Sequence, residues 1–344
     1  MTAAAAPILS FGEQALRYFR REHTEIAREP VRSTAAWRGC DLATRDDWIV
    51  ALAPSQLDEL EAAARQARTH CPRMAELGRE AFPLPSLGPA IAQWIHELDT
   101  GRGFLVLRGL PVERWGEELL SWVYWGLGQH LGEPGAQNPA GELLGHVVDT
   151  GEDAADPFVR RYRTAGDIAY HCDLADVVGL LCLRAAPRGG ASRIASSVAV
   201  YNALLERRPD WAERLYEPFL LDARNEEGAQ GPPWIPVSPC RYSAGRLRTF
   251  FHSDYFRSVG RHPGVERPTE QELEVLDLYE ELASSPELRL DMQFELGDVQ
   301  LISNHSVIHA RTAYEDDPAP GRGRHLLRLW LSLRASDGTG VADQ

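Results

Sequence analysis

Two histidines and an aspartate offer the chain its most distinctive chemistry. His171-Cys172-Asp173 is answered by His309, 138 positions after the first histidine (309 minus 171), and then by Arg324 and Arg328. Together these residues could hold a redox metal and an acidic cosubstrate. Two imidazoles and one carboxylate on one face of an ion leave three positions open, which suits a non-haem Fe(II) centre that binds a cosubstrate and then O2. In a β-strand, residues i and i+2 share a face. His171 and Asp173 can therefore ligate one ion while Cys172 points into the wall.

Other arrangements compete for the same residues. His252-Ser253-Asp254 is a second His-x-Asp, 57 positions before His309 (309 minus 252). The first is preferred because a glycine turn, Gly189-Gly190, and a hydroxyl, Ser192, follow it. On a helix, His305 and His309 would form an i, i+4 zinc pair. Ser303, Val307 and Ile308 favour strand and loop there, and His-Glu-x-x-His is absent. Arg324 and Arg328 lie among Leu326, Leu327, Leu329 and Trp330, which reads as a buried strand. Cys172 and Cys182 read as wall residues.

The elements that position these groups need a large core, and 344 residues with 44% apolar content can bury one, as a single elaborated domain or as two. The 36 basic residues are all arginine, set against 50 acidic ones for a net charge of -14. That balance argues against nucleic acid or an anionic membrane as the main partner. The lack of lysine, attributable to GC-rich codon usage, removes P-loop, Schiff-base and kinase-type lysine chemistry. Five scattered cysteines without a CxxC spacing indicate neither a disulfide framework nor a thiolate zinc site, which fits a reducing cytoplasm. Met1 to Leu9 lacks the charged and apolar regions of a signal peptide, and no apolar run reaches membrane-spanning length, so a soluble, unexported protein is expected.

Helices are expected over 54–78, with Ser55 as N-cap and Glu59 in the first turn, over 87–99 and over 115–131. The run 103–109 reads as a buried strand. Beyond 176 the texture is β, with strands over 177–183, 247–256, 288–295, 299–304 and 325–333. A turn at 187–190, a helix over 197–207 and the turn Leu296-Gly297-Asp298 interrupt them. Helices gathered before strands give an α+β chain whose core is a two-sheet antiparallel jelly roll. Residues 1–100 form a mainly helical N-terminal extension packed on that core, 101–334 the core, and 335–344 a flexible tail.

His171-Cys172-Asp173 with Gly189-Gly190-Ala191-Ser192, then Leu296-Gly297-Asp298 and Asn304 before His309, and finally Arg324 to Arg328, resemble the taurine dioxygenase-like family of Fe(II)- and 2-oxoglutarate-dependent oxygenases. The resemblance runs from about residue 100 to 334 and implies a cupin-like double-stranded β-helix. It makes His171, Asp173 and His309 the iron ligands. Arg324 grips the distal carboxylate of 2-oxoglutarate, for which a planar guanidinium is well shaped. Ser192 replaces the family's usual threonine in that role, and Ala191 replaces its aspartate. Arg328 binds the 2-oxo acid or an anionic substrate group, and Asn304 orients the loop before His309.

Gln137 and Asn138 align with the stretch that reaches the substrate in this family, though an amide stands where a histidine is usual. With Tyr170, Phe250, His252 and Arg328 they suit a small polar, carboxylate-bearing molecule such as an amino acid or a natural-product intermediate. The same two amides would equally serve to cap a loop. The implied reaction consumes 2-oxoglutarate and O2, releases succinate and CO2, and hydroxylates an unactivated C–H bond. Desaturation or ring closure is the related outcome, and the retained Asp173 disfavours halogenation. A zinc-dependent hydrolase or lyase on the same barrel and a non-catalytic ligand-binding barrel are the alternatives. A homo-oligomer stays open, dimers being the commonest assembly.

Overall fold

Strands buried on both faces carry the centre of the protein, where Val, Ile and Leu predominate and even Gln300 and Arg328 are buried. The computed structural model describes residues 8–152, 159–224, 232–317, 319 and 321–334. The expected tail at 335–344 and most of the stretch from Met1 to Leu9 lie outside them. In chain order, β1 (Ile49–Ala51), β2 (Phe104–Arg108), β3 (Glu133–Gly135) and β4 (Gly145–Val147) belong to one sheet. β5 (Ile168–His171) opens a second sheet, β6 (Val177–Arg184) returns to the first, and β7 (Ser192–Ser196) and β8 (Arg289–Met292) join the second. β9 (Val299–Ser303), β10 (Val307–Arg311) and β11 (His325–Ser332) then alternate between first, second and first.

The larger sheet has the order β1-β2-β9-β6-β11-β3, with β4 also on β11, and the smaller one β8-β7-β10-β5. Within the two sheets only β1 and β2 pair in parallel. The result is a mixed α/β fold built on antiparallel sheets.

Helices cover the outer faces. α1 (Phe11–Phe19), α2 (Pro54–His70), α3 (Gly88–Asp99) and α4 (Val112–Leu131) precede the central strands, and α5 (Ser197–Arg207), α6 (Ser253–Ser258) and α7 (Glu270–Ser284) are inserted among them. Leu327, Leu329 and Leu331 of β11 share a core with Leu60 of α2, Trp94 of α3 and Val123 of α4. Trp330 turns the other way and packs between the sheets with Val178, Ile194 and Val307. On β10, Ile308 and Ala310 instead meet Leu204 of α5 and Tyr279 of α7. Alternation along these two strands thus sorts each side chain to a helix-covered face or to the space between sheets.

The structure departs from the sequence expectations at three places. The strand expected over 247–256 stops at Thr249. Residues 250–252 bend toward β5, with the Cys172 N–H on the Phe251 carbonyl, and the His252 carbonyl then accepts from Tyr255 and Phe256 to begin α6. α2 starts at Pro54 with Ala53 as N-cap, because proline's fixed φ suits the first helical position and the Gln56 side chain accepts the Ala53 N–H at 2.9 Å. Glu59 therefore lies beyond the first turn, and Cys71-Pro72 ends the helix before 78. α7 went unread, although Thr269 and Glu272 form a reciprocal capping box at its start.

The turn at 296–298 behaves as expected. Gly297 has φ 82°, and a Cβ there would sit 1.9 Å from the Leu110 carbonyl oxygen. Among the described residues no helix is long and apolar enough to cross a membrane. Leu327→Ala, which opens a cavity where the larger sheet meets its helices, is expected to cost about 2–5 kcal/mol. Urea unfolding of the variant against the parent protein measures it.

Candidate functional site

The pairing of β5 with β10 sets His309 opposite His171. Their ring centroids are 4.1 Å apart. β5 ends at His171, so Asp173 does not share its strand as the i, i+2 argument required. Hydrogen bonds place it instead. The Cys172 N–H donates to the Phe251 carbonyl at 2.7 Å and the Asp173 N–H to Asn304 Oδ1 at 3.1 Å. Asn304 is fully buried, and its Nδ2 donates to the Ala175 carbonyl at 2.8 Å. It thus fastens the loop that carries Asp173.

Donor atoms of His171, Asp173 and His309 all lie within 4.8 Å of one another. His309 Nε2 is 3.8 Å from Asp173 Oδ2. The Nδ1 of His171 faces the Ala169 carbonyl at 2.9 Å, which sets the tautomer that keeps the Nε2 lone pair available. Burial, with His171 alongside, holds the His309 imidazole down to about 3, so it is neutral at neutral pH. Burial alone would raise the Asp173 carboxyl, but Arg328, His309 and His171 more than offset it and leave it below the usual carboxylate range. Asp173 Oδ2 and His309 Nδ1 are buried without a hydrogen-bond partner. A buried carboxylate oxygen lacking a donor, beside two imidazoles, fits a divalent cation.

Arg328 and Leu326 share a parity of β11, Arg324 immediately precedes that strand, and all three line one cavity with His171, Asp173 and His309. Arg324 is 4% exposed, and its Nη1 has no partner. A Cβ on Gly190, where φ is 68°, would fall 3.1 Å from Arg324 Nε, so the glycine turn makes room for this guanidinium. Arg328 reaches Asp173 Oδ1 at 3.5 Å and lies over the rings of Tyr162 and Trp330. Ser192 lines the cavity with its hydroxyl donating to Gln300 Oε1 at 3.1 Å.

A second cavity adjoins His171 and Asp173 and is lined by Arg160, Arg224, His252, Tyr255 and Arg328 among others. His252 stacks on Tyr255, and burial first, then the charges of His171 and Arg224, keep it neutral. Of the expected substrate residues, His252 and Arg328 line this cavity, whereas Gln137, Asn138, Tyr170 and Phe250 line neither. Gln137 is fully buried and supports Arg328, accepting from its Nε at 2.7 Å and donating to its carbonyl at 2.7 Å. Asn138 caps its own loop through Glu142. Tyr170 and Phe250 face the core under α5 and α7.

The competing motifs separate. Asp254 lies in α6 near Arg161, outside the metal-competent group. His305 sits on the turn before β10, bonded to Asp176 at 2.7 Å and stacked on Tyr18, so no helical pair with His309 forms. Cys172 and Cys182 are buried, which pushes their thiols up to about 12 and about 11. Glu117, His146 and His325 form a second group within metal-ligand reach, but Arg184 stands 3.1 Å from His325 Nδ1. The residue that sequence reasoning passed over is Arg311, two positions after His309 and lining the same cavity. Burial, then Arg324, lowers its guanidinium to about 10.

Buried antiparallel sheets that converge a His-Asp-His set beside inward arginines define a class, the metal-dependent enzymes on cupin-like scaffolds. Residues 66–330 match the model of the taurine catabolism dioxygenase TauD, TfdA family. The chain is 32% identical over 313 residues to FR-33289 synthase of Streptomyces rubellomurinus, covering 90% of this chain and 92% of that one. It is 31% identical over 320 residues to the taurine hydroxylase-like protein SAT17 of Stachybotrys chartarum, covering 86% and 77%. Similar solved structures include asparagine oxygenase with Fe(II), 3-hydroxyasparagine and succinate (TM-score 0.64, 20% identity, 83% and 93% covered). Another is the non-haem iron oxygenase OrfP with Fe and alpha-ketoglutaric acid (TM-score 0.60, 16% identity, 83% and 93% covered). The chain belongs to the TauD/TfdA family of Fe(II)- and 2-oxoglutarate-dependent oxygenases.

Asn304→Ala releases the Asp173 loop and is expected to weaken Fe(II) binding by about 10–100-fold, the usual cost of losing a residue that orients a metal ligand. Anaerobic Fe(II) titration, with a thermal melt as control for folding, reads the change.

Proposed function

We propose that this oxygenase hydroxylates an unactivated C–H bond of a small polar, carboxylate-bearing substrate, an amino acid or natural-product intermediate, with release of succinate and CO2. The observation that carries the reading is the convergence of His171, Asp173 and His309 at one end of a buried cavity whose other wall presents Arg324. These three residues would hold Fe(II), which supplies activation of O2 when bound together with the 2-oxo acid. Two imidazoles and a single carboxylate leave the ion open positions for that chemistry. The two sheets are read as the halves of a double-stranded β-helix. Residues 1–100 are read as an extension packed on it, with β1 and α2 joined to the larger sheet.

Each remaining residue has a task in positioning. Arg324, aided by Ser192, takes the distal carboxylate, and its buried, partnerless Nη1 is oriented for an anion. Arg328, braced by Gln137, stands between the two cavities and anchors an anionic substrate group. His252, neutral and with a partnerless buried Nδ1, offers that substrate a hydrogen bond. Leu180 and Phe294 wall the cosubstrate side and limit water. Solved neighbours carry hydroxylated amino acids, 3-hydroxyasparagine in one and (3S)-hydroxy-L-Arg in another, which supports hydroxylation and an amino-acid-like substrate. Five free cysteines support a reducing cytoplasm.

The test is a panel of amino acids and related acids incubated with the Fe(II)-loaded protein, 2-oxoglutarate and O2. Succinate is followed together with the mass of each acid. A substrate that gains one oxygen atom while succinate accumulates is the expected result, and loss of two hydrogens would instead indicate desaturation or ring closure. His171→Ala, Asp173→Ala and His309→Ala are expected to abolish turnover. Arg324→Ala should mainly raise the 2-oxoglutarate KM, by about tenfold or more for a lost charge-assisted pair. Full turnover in all three ligand variants would refute the assignment.

A further inference from the structure

We propose that Arg311 is a second cosubstrate-binding guanidinium, so that the distal carboxylate of 2-oxoglutarate is held between Arg324 and Arg311. This deepens the cosubstrate reading above and rests on it. Alternation along β10 sends Ile308 and Ala310 to the helix-covered core, and Val307, His309 and Arg311 to the space between sheets. Arg311 is therefore aimed into the chamber that His309 faces, one strand step further from the metal-competent group.

Asp149 and Asp167 act on its charge from a distance, but neither pairs with it. Arg311 is 7% exposed, and Nη2 donates to the carbonyls of Thr164, at 2.7 Å, and Gly166. Nε and Nη1 are buried with no partner, as is Nη1 of Arg324. The two guanidinium carbons lie 4.8 Å and 5.2 Å from the centroid of one ring, that of Tyr314. Asp173 is the only carboxylate lining the cavity among the described residues, and it belongs to the metal-competent end. No carboxylate among them is within salt-bridge distance of either guanidinium. Buried like charges with unpaired N–H groups turned to one cavity are matched when a carboxylate is shared between them. A 2-oxo acid without a second carboxylate would leave both unmatched, so Arg311 also selects for the dicarboxylate.

The competing role is structural, since Nη2 ties the 164–166 segment to β10. Calorimetry under anaerobic conditions separates the two, titrating the Fe(II)-loaded protein with 2-oxoglutarate and with 2-oxovalerate, the same chain lacking the distal carboxylate. Arg311→Gln is expected to weaken 2-oxoglutarate by about tenfold or more while changing 2-oxovalerate less than about twofold. Equal loss for both acids, or loss for neither, would overturn the proposal. If Arg311→Gln fails to fold, the comparison is made with Arg311→Lys, which keeps the charge and loses the planar fork. A smaller loss confined to 2-oxoglutarate is then expected, and equal loss again overturns it. Wild-type protein that holds Fe(II) but takes neither acid would refute the cosubstrate reading itself.

Discussion

Both faces of β10 and β11 are buried, and from that constraint the site follows. A strand covered on two sides must commit every side chain to one face or the other. On β11 the odd positions Leu327, Leu329 and Leu331 lock into the helical layer, which obliges Leu326, Arg328 and Trp330 to face inward, and Arg324, just before the strand, lines the same cavity. On β10 the even positions Ile308 and Ala310 fill the opposite helical core, and His309 and Arg311 turn inward. A one-residue slip of either strand would turn its apolar side chains into the cavity and press His309 and Arg311, or Arg328, against the helical layer. Apolar packing on the outside thus sets where the polar chemistry lies inside.

Placing charge between two sheets is costly, and this protein concentrates it. Three arginines and one aspartate line the chamber, with His309, which burial keeps neutral, and His171. Asp173 stays ionised because Arg328 and the two imidazoles offset the burial penalty. Gln137, fully buried, gives Arg328 a fixed orientation through two hydrogen bonds. The remaining positive charge at the Arg324 end suits a dianionic cosubstrate, which would supply the counter-charge that the lining residues do not.

Much of this was legible in the residues alone. His171, Asp173, His309, Arg324 and Arg328 were singled out from residue type and spacing, and the structure gathers them at one cavity. The reason given for His171 and Asp173 was only half right, because β5 ends at His171 and Asn304 does the placing. Tyr170, adjacent to His171, takes the opposite face of β5 and packs in the core, and Phe250 packs there too because the chain bends at 250–252. Arg311 was within reach of the same alternation argument that served Arg328, but no motif drew attention to it. α6 was mistaken for strand because its short aromatic run looks extended until the bend at 250–252 brings His252 beside His171. Hydrogen bonds across long separations, such as that from Tyr18 to the Asn304 carbonyl, leave no local trace.

Whether His171, Asp173 and His309 hold Fe(II) with one face open to a chelating acid is tested most directly by anaerobic visible spectroscopy. Fe(II) and then 2-oxoglutarate are added to the purified protein. A weak metal-to-ligand charge-transfer band that forms in the wild type and is lost in Asp173→Ala is expected. Well-folded, iron-loaded wild-type protein that shows no such band would contradict the proposed centre.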